Sequence, residues 1–257
     1  MATPAWSIAW KRNERQASRH LRAPMREFLS LARFAHRFFE AGLALTDGHK
    51  VGEARRVQAQ ILTQLSLQLR IVEFAAEHGY AFQAAANVTA AYELTAAVGF
   101  IAEDSQRASA WLTHSDSRNS YPPAKKRPAA IRALLEIGGV PAADLDSSVA
   151  EWEERHEFYC MAKHGNPKLL RRYGISVSNS TITLHHGPTI GAGYNTLAQH
   201  ALFRVAQLLV YSVPVFANPL YGAANQTNAL HYVRQMKLAP KRLEAAALRL
   251  PQRNGAA

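Results

Sequence analysis

The chain holds a single cysteine, Cys160, in 257 residues. An intramolecular disulfide is therefore impossible, and so is a zinc site built on four cysteines; a reducing cytoplasm is the compartment this usage fits. Long hydrophobic runs are scarce as well. Residues 181–233 carry one charged side chain, Arg204, yet their apolar core "VAQLLVYSVPVFA" spans only 13 residues, against about 20 needed to cross a bilayer. Pro214, Asn218 and Pro219 interrupt its continuation, so it reads as a buried central helix and no membrane span is expected. The opening stretch "MATPAWSIAWKRNERQASRHLRAP" lacks the apolar core and small-residue cleavage site of a secretory signal. Missing too is any Ser/Gly-rich or charge-only linker. The expected layout is one helical domain, 23–238, preceded by a polar basic segment, 1–22, and followed by a short helix and flexible basic tail, 239–257.

Negative charge is in short supply. Lys and Arg number 30 against 19 Asp and Glu, a net charge of +11. The excess is local: residues 1–60 hold eleven basic against five acidic side chains, 161–180 four against none, and 234–257 six against one. Such a surface attracts polyanions, so nucleic acid or another polyanion is the expected partner.

What is abundant is helical periodicity. Pro24 opens a segment in which Phe28, Leu31, Ala35, Phe38 and Phe39 recur at three and four, and Val57, Ile61, Leu65, Leu69 and Val72 do the same in the next. Gly79 ends that second helix as a left-handed cap. From Phe82 onward "AAANVTAAYELTAAVGFIA" is apolar all round, with Glu93 inside it, and such a helix must be surrounded by others. "SDSRNSYPPAKKRP" is an exposed loop, because adjacent prolines cannot continue a helix. A capping box at Ser148 and Glu151 predicts the start of a helix that runs through "VAEWEERHEFYCMAKH" to Gly165. "GISVSNSTITLHH" then alternates with a period of two, and two short helices are expected over 225–248. The fold class read from this pattern is all-α, a bundle-like single domain with a small β-hairpin near 174–186.

Chemistry concentrates in "YCMAKHGNPKLLRRYG". His156, Cys160 and His164 share one helical stripe, and Glu153 stands three before His156. His156 and His164 are about 12 Å apart at 1.5 Å per residue, too far to share one metal ion, and no second E-x-x-H exists. No metal site is expected. Cys160 lies at the C-terminal end of its helix, where the dipole opposes a thiolate. "GPTIGAGYN" does not match a dinucleotide fingerprint, and no P-loop or nucleophile elbow is present, so no cofactor is expected. Lys163, Lys168, Arg171 and Arg172 surround the helix stop as candidate anion-binding residues. His164, with Glu93 or Glu153, is the candidate acid–base set.

The helix "AAYELTAAVGFIA", a later tryptophan and the helix end "YCMAKHGNP" resemble uncharacterised bacterial all-helical proteins, domains of unknown function that pair an aromatic-Glu helix with a Tyr-x4-His helix end. The resemblance spans residues 80–215. It implies a helical fold without a known activity, and matches at Glu93, Tyr159 and His164. More remote is a similarity to the helical ribonuclease superfamily of toxin and defence proteins, which carry R-x4-6-H near a helix end. Arg155 and His164 have eight residues between them and depart from that motif, whereas Arg15 and His20 have its spacing in the N-terminal segment. Two function classes follow: a non-enzymatic binding module with a basic face, and alternatively a nuclease-like hydrolase using His164 with Glu93 or Glu153.

Overall fold

Nine helices of eight residues or more carry the architecture among the described residues. The computed structural model describes residues 5–102, 104–116, 121–169, 175–178, 181–184 and 187–251. In chain order the helices are α1 (Ala5–Leu21), α2 (Arg26–Leu43), α3 (Glu53–Glu77), α4 (Ala81–Ile101), α5 (Ser105–Leu112), α6 (Arg127–Ile137), α7 (Leu145–Lys163), α8 (Ala192–Ala217) and α9 (Gln226–Ala247). Between α7 and α8, strands β1 (Ile175–Ser178) and β2 (Thr181–Leu184) pair antiparallel, with Ile175 opposite Leu184 and Ser178 opposite Thr181.

The most apolar helices sit innermost. α4 and α8 pack on each other and on α3, while α2 and α9 close one side and α6 and α7 the other. Both α4 and the α8 region are long and apolar enough to cross a bilayer, yet they are 67% and 89% buried inside the bundle. Their composition is explained by burial on all faces. The five apolar positions read from α2 and the five from α3 are all buried.

Polar groups in this core serve the backbone. α8 continues through Pro214 to Ala217. Pro219 has no N–H to give the Val215 carbonyl, and Arg55 on α3 supplies the missing donor at 2.7 Å. Arg55 also donates to Gln58 at 2.7 Å, and Gln58 donates on to the Val98 carbonyl of α4 at 3.1 Å. One buried relay thus ties α3 to both central helices. Close approach elsewhere depends on glycine: a Cβ at Gly99 would lie 2.4 Å from the Ala130 carbonyl oxygen. Because that neighbour is backbone, Gly99→Ala must push α6 away from α4. We expect it to lower stability by about 1–3 kcal/mol in chemical denaturation.

Three boundaries differ from the sequence reading. α7 begins at Leu145, so Ser148 and Glu151 lie inside the helix and form no capping box; Leu145 is itself buried and extends the packed face upstream. α9 is one helix through Pro240 rather than two short ones. Residues 5–21 are a docked helix. Ala17 and Leu21 of α1 are buried, the Trp10 indole donates to the Tyr80 hydroxyl at 2.5 Å, and that hydroxyl donates to Glu14 at 2.7 Å.

Candidate functional site

Two arrangements bear on function, one inside and one outside. The inner one lies where α4, α6 and α7 meet. Tyr92 on α4 donates its hydroxyl to the Glu153 carboxylate of α7, and its ring stacks on His156 at 4.3 Å between centroids. Arg127, at the start of α6, reaches the His156 Nε2 at 3.4 Å. A guanidinium can only donate, so Nε2 accepts and the imidazole is neutral. Burial, then the charges of Arg127 and Lys163, push the His156 pKa down to about 4. Burial first, and then the Glu153 carboxylate, hold the Tyr92 hydroxyl above its ordinary value. The Cys160 sulfur is 3.5 Å from His156 Nε2, and burial raises the thiol pKa. With a neutral imidazole beside it, Cys160 remains a protonated thiol, as expected of a structural cysteine.

The placement of the sequence-derived candidates follows from this. Glu153 is engaged by Tyr92. Glu93 forms an ion pair with Lys163 at 3.8 Å. His164 is exposed at the C-cap of α7, its backbone N–H on the Cys160 carbonyl at 3.0 Å. Among the described residues its side chain has no hydrogen bond or ion pair with Glu93 or Glu153. His156, rather than His164, is the histidine that joins α4 to α7. Lys168 is exposed, and its backbone N–H is held by the Asn166 side chain at 2.9 Å; Arg171 and Arg172 lie outside the described residues. No group of three or more His, Cys, Asp or Glu side chains that could hold a metal is present among the described residues.

A second inner cluster anchors α8 to α7. Arg204 donates to Gln207 at 2.6 Å and to Glu151 at 3.2 Å, with its guanidinium 5.9 Å from the Trp152 ring centre. Burial brings its pKa down to about 10, so it is still a cation at neutral pH. The Arg204 cluster satisfies its charge internally through Glu151, which is the signature of a structural polar network.

The His156 arrangement makes stability pH-dependent. The ordinary histidine pKa of 6.5 applies in the unfolded chain and about 4 in the folded one, so between those values the unfolded chain binds more protons. Stability is complete above about 6.5 and is lost as pH falls towards 4, by up to ~3 kcal/mol. Melting temperatures of wild type and His156→Gln should therefore converge on acidification through this window.

The outer arrangement is the exposed face of α1. Arg12, Arg15, Arg19 and Arg22 are all exposed at steps of three and four, one cationic stripe along the helix, with Lys11 exposed beside it. Three open cavities lie along it. The largest, about 580 Å³, is lined among the described residues by Arg12, Arg15, Gln16, Arg19 and His20. The next, about 350 Å³, adds Lys11, Glu14, Ser18 and His78, and the third, about 290 Å³, lies between Arg22 and Glu77. The carboxylate of Glu14 is drawn aside onto Tyr80, whose hydroxyl pKa is pushed up to about 12 by burial and by Glu14. The signal for this face was present as arginine spacing in "KRNERQASRHLR"; docking through Trp10 and Tyr80, 70 residues apart, was not. No known protein family, curated protein or solved structure matches the chain.

Proposed function

We propose that the protein binds an extended polyanion, a nucleic acid, on the basic face of α1. The observation that carries this reading is the coincidence of the arginine stripe with three open cavities. Arg12 to Arg22 covers about 15 Å of helix at 1.5 Å per residue, the length of several nucleotides at about 3.4 Å each. Guanidinium groups grip phosphates bidentately and stack on unpaired bases, so a single strand can follow the stripe without sequence readout. Docking of α1 through Trp10, Tyr80 and Glu14 makes the stripe a rigid surface rather than a loose arm, which reduces the ordering cost of binding. Lys168, Arg171 and Arg172 extend the same basic character in the sequence.

Ultraviolet crosslinking of the full chain to a mixed-sequence single strand, followed by peptide mapping, tests the placement. Crosslinks in residues 10–26 are expected. Crosslinks confined to other segments would move the interface off α1.

A further inference from the structure

Away from both arrangements, α2 and α3 bring a hydroxyl, an imidazole and a buried carboxylate close together. Ser66 Oγ lies 2.9 Å from His36 Nδ1, and His36 Nε2 lies 3.4 Å from Glu73 Oε2. Glu73 is only 2% exposed. We propose that Ser66 is the nucleophile of a hydrolase site, with His36 as its general base and Glu73 positioning the imidazole, that acts on carboxylic esters with a short apolar acyl group.

The direction of the Ser66 hydroxyl is the first argument. Three helical hydroxyls elsewhere in this chain spend their proton on the carbonyl four residues back: Thr63 on Ala59 at 2.8 Å, Thr196 on Ala192 at 2.9 Å and Ser212 on Leu208 at 2.7 Å. That is the usual local choice in a helix. Ser66 turns instead to a base on the neighbouring helix. The second argument is the carboxylate. Burial alone would raise the Glu73 pKa, yet the His36 imidazole 3.4 Å away and the Arg70 guanidinium, hydrogen-bonded at 3.0 Å, outweigh it and keep the group ionised. An ionised carboxylate behind an imidazole is the arrangement that stabilises an imidazolium as it forms. The third is the surroundings. Ser66 and His36 are half-buried and reachable from solvent, and Leu67, Ile71 and Phe74 beside them on α3 are 51%, 47% and 55% exposed, an apolar platform for an acyl chain. Arg70 gives one arm to Glu73 at 3.0 Å and has other donors for an oxyanion.

The chemistry balances within these groups and water. Ser66 Oγ attacks the ester carbonyl carbon while its proton passes to His36 Nδ1, and the imidazolium faces Glu73. The tetrahedral intermediate collapses by breaking the bond to the alkoxy oxygen, which leaves as the alcohol with the proton from Nδ1. Water then attacks the acyl-serine, gives a proton to Nδ1, and the carboxylic acid departs as Ser66 regains its hydrogen.

Reaction of the full chain with a fluorophosphonate probe, with peptide mapping of the adduct, and turnover of p-nitrophenyl butyrate together test this. An adduct on Ser66 is expected, together with ester turnover that falls at least about a hundredfold in Ser66→Ala and in His36→Gln at unchanged melting temperature. Glu73→Gln should lower kcat about tenfold or more with KM unchanged. Absence of the Ser66 adduct in wild type, turnover no greater than that of Ser66→Ala, or a Glu73→Gln variant with wild-type kcat would overturn the assignment.

Discussion

Phe38→Ala is expected to be the most destabilising single truncation at the α2–α9 contact, at about 3–5 kcal/mol. Phe38 has no exposed surface. Its ring stacks on Phe34 at 6.1 Å and on Tyr232 of α9 at 5.6 Å between centroids, and Tyr232 is held in turn by the Asn218 side chain at 2.7 Å. Removing the ring opens a cavity between two rigid helices whose own hydrogen bonds prevent collapse, so the lost transfer energy and the cavity add. Phe74→Ala is the internal comparison. That ring is 55% exposed, and its loss should cost within about 0.5 kcal/mol. Urea denaturation of both variants reads the difference. A Phe38→Ala cost below 1 kcal/mol would show that α9 does not close over α2.

Replacing Arg12, Arg15 and Arg19 together by Glu is expected to reduce affinity for a single-stranded nucleic acid by about a hundredfold or more at low salt. The three side chains are exposed, and α1 is anchored by other residues, Trp10, Glu14, Ala17 and Leu21, so helix content and melting temperature should change little. The reversal removes three attractive contacts and places repulsive charges in the largest cavity, which is why its effect exceeds that of neutral replacement. Equilibrium binding with a labelled oligonucleotide measures it. Retention of wild-type affinity would place the interface elsewhere.

The helical class was legible in the sequence because α2 and α3 repeat apolar residues at three and four, and each of those residues is buried. Gly79 also behaves as read, with φ at +84°. Helix starts were less legible. The Ser148 and Glu151 pair imitates a cap, but the buried Leu145 draws the helix three residues further upstream. α1 was read as a polar segment outside the domain, since among the described side chains its buried apolar residues are Ala17 and Leu21, and the bonds that dock it through Trp10 and Tyr80 are long-range polar ones with no periodic trace. The same reason hid the Tyr92–Glu153 bond, 61 residues apart, and the cluster of Ser66, His36 and Glu73. His164 stood out for its composition-rich neighbourhood, whereas the stripe histidine that joins two helices is His156, two stripe positions earlier and facing inward.

The central claim is that phosphates are held by the α1 arginines, and the salt dependence of binding reads this most directly. Affinity of wild type and of the Arg12→Ala, Arg15→Ala, Arg19→Ala triple variant should be measured for one single-stranded oligonucleotide across a range of monovalent salt. Each phosphate contact contributes about 0.7 to the slope of log affinity against log salt for a single strand, so the triple variant should show a slope shallower by about 2. An unchanged slope, or no binding by wild type at about 50 mM salt, would contradict the claim.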